Sequence, residues 1–223
     1  MDPLNFIYDL ARGPLVWTAF IVFFAGSAVQ VYRMWALTVA ANPLEQVSRP
    51  LKKDIRQKRL PLAVRIRLSV AGTSPVTIAV TTLFHLCLVL TPLFVLGHNI
   101  LIDNAWGVSL FSLPEGFADV LTLLVVACAG YFLFRRIFLE RVRIITTPWD
   151  YLFLGLAAGP FITGTLAYHQ IFDYKLVVTL HMLLGELMLM AVPFTKFVHM
   201  LFFFVFRFAT ASEYSLGEGT RTW

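Results

Sequence analysis

From Lys175 to Phe206 the chain reads KLVVTLHMLLGELMLMAVPFTKFVHMLFFFVF. The run lacks the polar stripe of a helix lying on a soluble core, and it exceeds the roughly 20 apolar residues needed to cross a hydrocarbon layer about 30 Å thick. It predicts a membrane-spanning helix over 174–208, long enough to tilt or to project beyond the bilayer. Two histidines interrupt it. His181 and His199 lie 18 residues apart; in an unbroken helix that is five turns and about 27 Å, so both imidazoles would point the same way from opposite depths.

The rest of the chain agrees with a membrane setting. Of its 223 residues 58% are hydrophobic and only 14% charged, and the apolar residues come in long blocks, which is too apolar for a soluble domain. Five blocks are long enough to span: 14–39, 76–96, 117–134, 149–168 and 174–208. The connections are too small for independent domains, so the expectation is one all-α, five-helix membrane bundle over 1–223. The leader MDPLNFIYDLARG is acidic and no small-residue cleavage site closes a short apolar core, so 14–39 is read as a retained helix and not a secretory signal. Cys87 and Cys128 each lie inside an apolar block, which supports neither a disulfide framework nor a cysteine-held iron–sulfur cluster.

Orientation follows from the basic residues. The 40–75 loop carries Arg49, Lys52, Lys53, Arg56, Lys58, Arg59, Arg65 and Arg67, and the next loop on that side carries Arg135, Arg136, Arg141 and Arg143. The opposite side has Arg12 and Lys175 among Asp2, Asp9, Asp103, Glu115 and Asp173. The positive-inside rule therefore places the N-terminus outside and the C-terminus in the cytoplasm. Positive-inside bias and anionic lipid headgroups account for the net charge of +5 without nucleic acid. LPLAVRIRLSV within that loop is a candidate amphipathic helix for a cytoplasmic partner. The Gly155-x-x-x-Gly159 pair would let another helix approach closely.

A second helix supplies matching histidines. His85 and His98 are 13 residues apart in TTLFHLCLVLTPLFVLGHNI, roughly 20 Å of ideal rise. The two helices run in opposite directions, so depth pairs His98 with His181 toward the outside and His85 with His199 toward the cytoplasm. Two pairs of imidazoles at two depths are a ligand set for two haems, each held from both axial sides. Thirteen residues leave His85 and His98 about 140° apart around a straight helix. A bend at Pro92 between them is needed to bring both to one partner. His169, at the outer end of the fourth helix, is either an interfacial hydrogen-bonding residue, a substitute for His98 or part of a quinone pocket. Glu186, an acid in the middle of an apolar helix, is either protonated, paired with a polar neighbour, or positioned to exchange a proton with a quinol.

Five helices, an outside N-terminus and histidines at these positions resemble the cytochrome b (gamma) subunit of respiratory nitrate reductase, with the local match at PFTKFVH, Pro193 to His199, and at Gly97-His98. The interval from His85 to His98 is longer than that family's pattern. In size and in its ending, HMLLGELMLMAVPFTKFVHM followed by FATASEYSLGEGTRTW, the chain is similar to the branch found in transmembrane redox complexes of sulfate-reducing bacteria, of the high-molecular-weight cytochrome c type. That resemblance implies two haem b groups on His85, His98, His181 and His199, access to menaquinone, and electron transport in anaerobic (sulfate) respiration. It also implies a cytoplasmic iron–sulfur subunit related to heterodisulfide reductase, a periplasmic multihaem cytochrome c and other membrane subunits as partners. The chain itself would transfer electrons, with catalysis left to the partners. The reading from a different class is a non-redox membrane anchor or small transporter, with the histidines and Glu186 lining a polar path.

Overall fold

The computed structural model describes residues 2–40, 72 and 74–202, and among these every regular element is helical. The 40–75 loop, apart from its edges, and the FATASEYSLGEGTRTW tail lie outside the described residues. Helix α1, Pro3–Leu10, starts with Pro3 in its first turn and an Asp2 carboxylate that accepts from Leu4 N at 3.2 Å. These are two standard ways of satisfying a helix start. A π-helical turn, Ala11–Leu15, carries the chain past Pro14 into α2, Val16–Ala40. Then follow α3 (Pro75–Phe94), α4 (Leu96–Trp106), α5 (Glu115–Phe138), the short α6 (Glu140–Arg143), α7 (Pro148–Tyr168) and α8 (Tyr174–Ala191).

Five stretches are long and apolar enough to cross a membrane: Pro3–Leu37, Pro75–Phe94, Glu115–Phe138, Pro148–Tyr168 and Tyr174–Ala191. Large apolar side chains such as Ile21, Phe24 and Leu152 are exposed, the reverse of a water-soluble protein and the arrangement lipid tails reward. The chain is an all-helical, multi-pass membrane protein in contact with lipid.

Three boundaries differ from expectation. The first span starts at Pro3 and not at Pro14, because the π-turn absorbs the proline without ending the helix. The second is broken at Val95, whose ψ of 134° is extended. Pro92 has no N–H to give the preceding turn, and α3 ends two residues after it. The loop that follows α4 folds back onto this break: Leu113 N donates to Phe94 O at 2.9 Å, and the Asn99 amide donates to Phe111 O and Ser112 Oγ.

The fifth span departs most. The helix expected over 174–208 stops at Ala191, turns through residues 192–195 around Pro193, and resumes as a 3₁₀ turn, Lys196–Val198, leading into a helical segment at 199–202. Pro193 cannot supply the amide hydrogen that continuing the helix would require. The five-turn relation between His181 and His199 assumed an unbroken helix and does not hold.

The chain divides into two compact units, Met1–Thr18 with Val76–Leu189 and Ala19–Pro75 with Met190–Trp223. In the first, α5 packs along α7; Val125 and the free thiol of Cys128 are buried on α5, and the free thiol of Cys87 is buried on α3. Helix α7 is started by a capping box, in which the Asp150 carboxylate accepts from Thr147 N at 2.8 Å and from its hydroxyl at 2.7 Å.

Candidate functional site

The break after α3 and the start of α8 put two of the candidate histidines side by side in the first unit. The ring centres of His98 and His181 are 5.8 Å apart with planes inclined at 32°. Each ring is oriented by a backbone carbonyl. His98 Nδ1 lies 2.8 Å from Pro92 O, a carbonyl whose helical partner is lost where the chain breaks at Val95. His181 Nδ1 lies 2.8 Å from Pro160 O on α7, with the Thr163 hydroxyl 3.5 Å away. A carbonyl oxygen only accepts, so in both rings Nδ1 carries the hydrogen and the neutral imidazole keeps its lone pair on Nε2.

The other two candidates share this chemistry within their own units. In the first unit, His85 Nδ1 donates to Thr81 O at 2.7 Å, one helical turn back, and its ring stands edge-on to Phe84 at 5.4 Å. In the second, His199 Nδ1 donates to Lys196 O at 2.6 Å across the 3₁₀ turn. An Nδ1–H held by a carbonyl, with Nε2 basic, is the usual state of a metal-ligating histidine.

Room for the His181 ring comes from glycine. A Cβ on Gly164 would lie 3.2 Å from His181 Cε1 and 3.4 Å from Nδ1. One on Gly159 would sit 3.1 Å from Leu184 Cδ1, whereas Gly155 has open space around it. Close approach of α8 to α7 therefore uses Gly159 and Gly164, not the Gly155/Gly159 pair.

His169 is held differently. It forms the C-terminal cap of α7, and its Nε2 lies 3.1 and 3.2 Å from the two carboxylate oxygens of Asp119 on α5. In the other four the carbonyl contact is made through Nδ1, whereas in His169 the acid is bound through Nε2.

Comparison with known proteins bears on the family. The chain is 34% identical over 221 residues to a protein of Nitratidesulfovibrio vulgaris (strain Hildenborough), an alignment that covers 97% of each chain. It belongs to that protein's family. No family model matches the chain, and no solved structure matches it.

Glu186, five residues beyond His181 on α8, is 5% exposed, and neither carboxylate oxygen has a hydrogen-bond partner among the described residues. Thr91 Oγ1 and Asn99 Oδ1 of the same unit are likewise buried and unpartnered. Orphaned buried polar atoms are rare and costly, above all where lipid excludes water.

The ring spacing of His98 and His181 fits an iron held from two sides. Two metal–nitrogen bonds of about 2.0 Å, with about 1.1 Å from each nitrogen to its ring centre, span roughly 6.2 Å, and the observed 5.8 Å is close to this. Among the described residues no group of three or more His, Cys, Asp or Glu gathers as for a zinc or non-haem iron site. Reading the sequence missed the carbonyls of Pro92, Pro160 and Thr81 as acceptors from the rings, Gly164 as the cradle of His181, and Asp119 as the partner of His169. Only Pro92 had a visible signal, its place between His85 and His98.

Proposed function

We propose that the chain is a dihaem b-type membrane cytochrome subunit that carries electrons across a bacterial cytoplasmic membrane. The observation that carries the reading is the common state of His85, His98, His181 and His199, each with Nδ1–H spent on a backbone carbonyl. Haem, when bound, supplies one-electron storage and transfer. The protein's part is to hold the imidazoles in one tautomer, to keep the rings from rotating, and to enclose the site in low-dielectric surroundings.

The outer haem is assigned to His98 and His181, whose ring separation supports shared ligation. His169 is set aside as a ligand because its Nε2 is bound to Asp119. His85 and His199 are each kept as candidate ligands of an inner haem on the depth order of the sequence alone. The partners are a periplasmic multihaem cytochrome c or the quinone pool on one side and a cytoplasmic iron–sulfur subunit on the other. The sulfate-reducing source of the family relative is in keeping with this setting.

A second element of the reading is quinol oxidation or menaquinone reduction beside the outer haem. Its support is Glu186, a carboxyl buried with both oxygens unpartnered, which is placed to accept or return a proton when a quinol is oxidised or a quinone reduced.

The test is a visible spectrum and haem count of the purified complex, with His181→Ala and His199→Ala. Loss of one b-type haem for each substitution is the expected result. An unchanged spectrum, or no b-type haem in the haem-replete wild-type complex, would instead leave a non-redox anchor or transporter.

A further inference from the structure

In the second unit, the break that separates α8 from His199 is gripped by one face of α2. Pro193 is fully buried. A Cβ on Gly26 would lie 2.7 Å from Pro193 Cγ, 2.9 Å from its Cβ and 2.9 Å from Phe194 Cζ. A pyrrolidine ring cannot swing aside as a flexible side chain would, so only a hydrogen fits at position 26. One turn along the same face, Gln30 Nε2 donates to Pro193 O at 2.6 Å.

The hydrogen bonds around the break explain why that carbonyl needs a donor. In a continuous helix Pro193 O would accept from Phe197 N. Here Phe197 N donates instead to Thr195 Oγ1 at 3.2 Å, and the Thr195 hydroxyl donates to Ala191 O at 2.8 Å. Thr195 N also goes to Ala191 O, at 3.1 Å, and Val198 N returns to Thr195 O at 3.1 Å. A carbonyl left without a donor in a membrane is expensive, and Gln30 supplies the donor. The turn fixed in this way presents Lys196 O to His199 Nδ1 at 2.6 Å.

We propose that Gly26 and Gln30 of α2 are positioning residues for the His199 imidazole, acting through Pro193 and the Lys196–Val198 turn. Gly26 sets how closely the broken segment seats on α2. Gln30 sets its rotation by holding one carbonyl. Together they fix the carbonyl that determines which His199 nitrogen keeps its lone pair. The inference rests on the proposed role of His199 as a haem ligand.

The experiment uses the full-length chain in its complex, with Gln30→Leu, which keeps bulk and removes the donor, and Gly26→Ala. Two properties are read: hydrogen exchange of the amides at 194–199, and the electron-paramagnetic signal and midpoint potential of the haem that His199→Ala abolishes. Expected are severalfold faster exchange and a shifted signal and potential for that haem, with the haem lost in His181→Ala unchanged. If Gly26→Ala does not assemble, Gln30→Leu decides alone.

Unaltered exchange overturns the inference. So does faster exchange with an unchanged haem signal, because α2 would then hold the fold and not the ligand. A wild-type complex without b-type haem, or one in which His199→Ala removes none, overturns the proposed function itself and is a distinct result.

Discussion

Gly164 offers the most quantitative test of the outer site. A Cβ there would stand 3.2 Å from His181 Cε1, a few tenths of an ångström inside ordinary van der Waals contact, so Gly164→Ala must push the ring slightly off Pro160 O. The bond at stake is 2.8 Å long, and such a bond contributes about 1 kcal/mol net. With His181 as the proposed haem ligand, weakening the bond would make the imidazole a poorer electron donor and favour the reduced metal. If the whole bond discriminated between the two redox states, the midpoint potential would rise by about 40 mV for a one-electron couple. Gly164→Ala should therefore raise the outer-haem potential by an amount up to that limit. Its helix gains roughly 0.5–1 kcal/mol from replacing glycine, so the protein should not unfold. Gly164→Val adds two methyl groups against the same ring and should expel the haem. Potentiometric titration of the b-type absorbance, resolved into its two components, measures both effects. An unchanged potential in Gly164→Ala together with both haems retained in Gly164→Val would refute the role of His181 described above.

Separate replacement of the two competing outer histidines should remove one haem for His98→Ala and none for His169→Ala or Asp119→Asn, as counted by pyridine haemochrome; haem loss in His169→Ala alone would reverse the assignment. Glu186→Leu removes two buried, unpartnered oxygens and should stabilise the protein by about 1 kcal/mol, seen as a melting temperature higher by roughly 2–4 °C, while quinone-driven reduction of the outer haem falls. A destabilised variant would mean that Glu186 has a partner the fold depends on. Thr147→Ala opens the capping box of α7 and should cost about 1 kcal/mol, read as a lower melting temperature without change in the haem spectrum.

Much of the architecture was legible in the residues. Apolar runs of about 20 residues mark spans because each must satisfy its own backbone within one helix, a local requirement. Cys87 and Cys128, lone thiols in apolar blocks, are buried and free as packing residues would be. The site was legible only in its residue types. His98 was the weakest candidate on spacing, because an ideal helix turns it away from His85; in the folded chain it stands beside His181. Pro92 announced a disturbance, but the place of the break, Val95, depends on the Leu113 amide and the Asn99 side chain folding back from and onto a distant loop.

Pro193 carries the same warning, but it sits at the end of an unbroken apolar stretch, Leu187 to Phe194, whose hydropathy masks it. Hydropathy measures what lipid tolerates and is blind to where an amide hydrogen is missing. Composition and periodicity thus determined the membrane setting, the all-helical class, the five spans and the histidines worth attention, since each depends on contacts within a few turns of chain. The partners of His181 and His169 were decided by tertiary structure alone. Ring orientation depends on carbonyls such as Pro160 O, brought in from 21 residues away, and on a glycine that leaves room for the ring, and neither has a counterpart in local sequence.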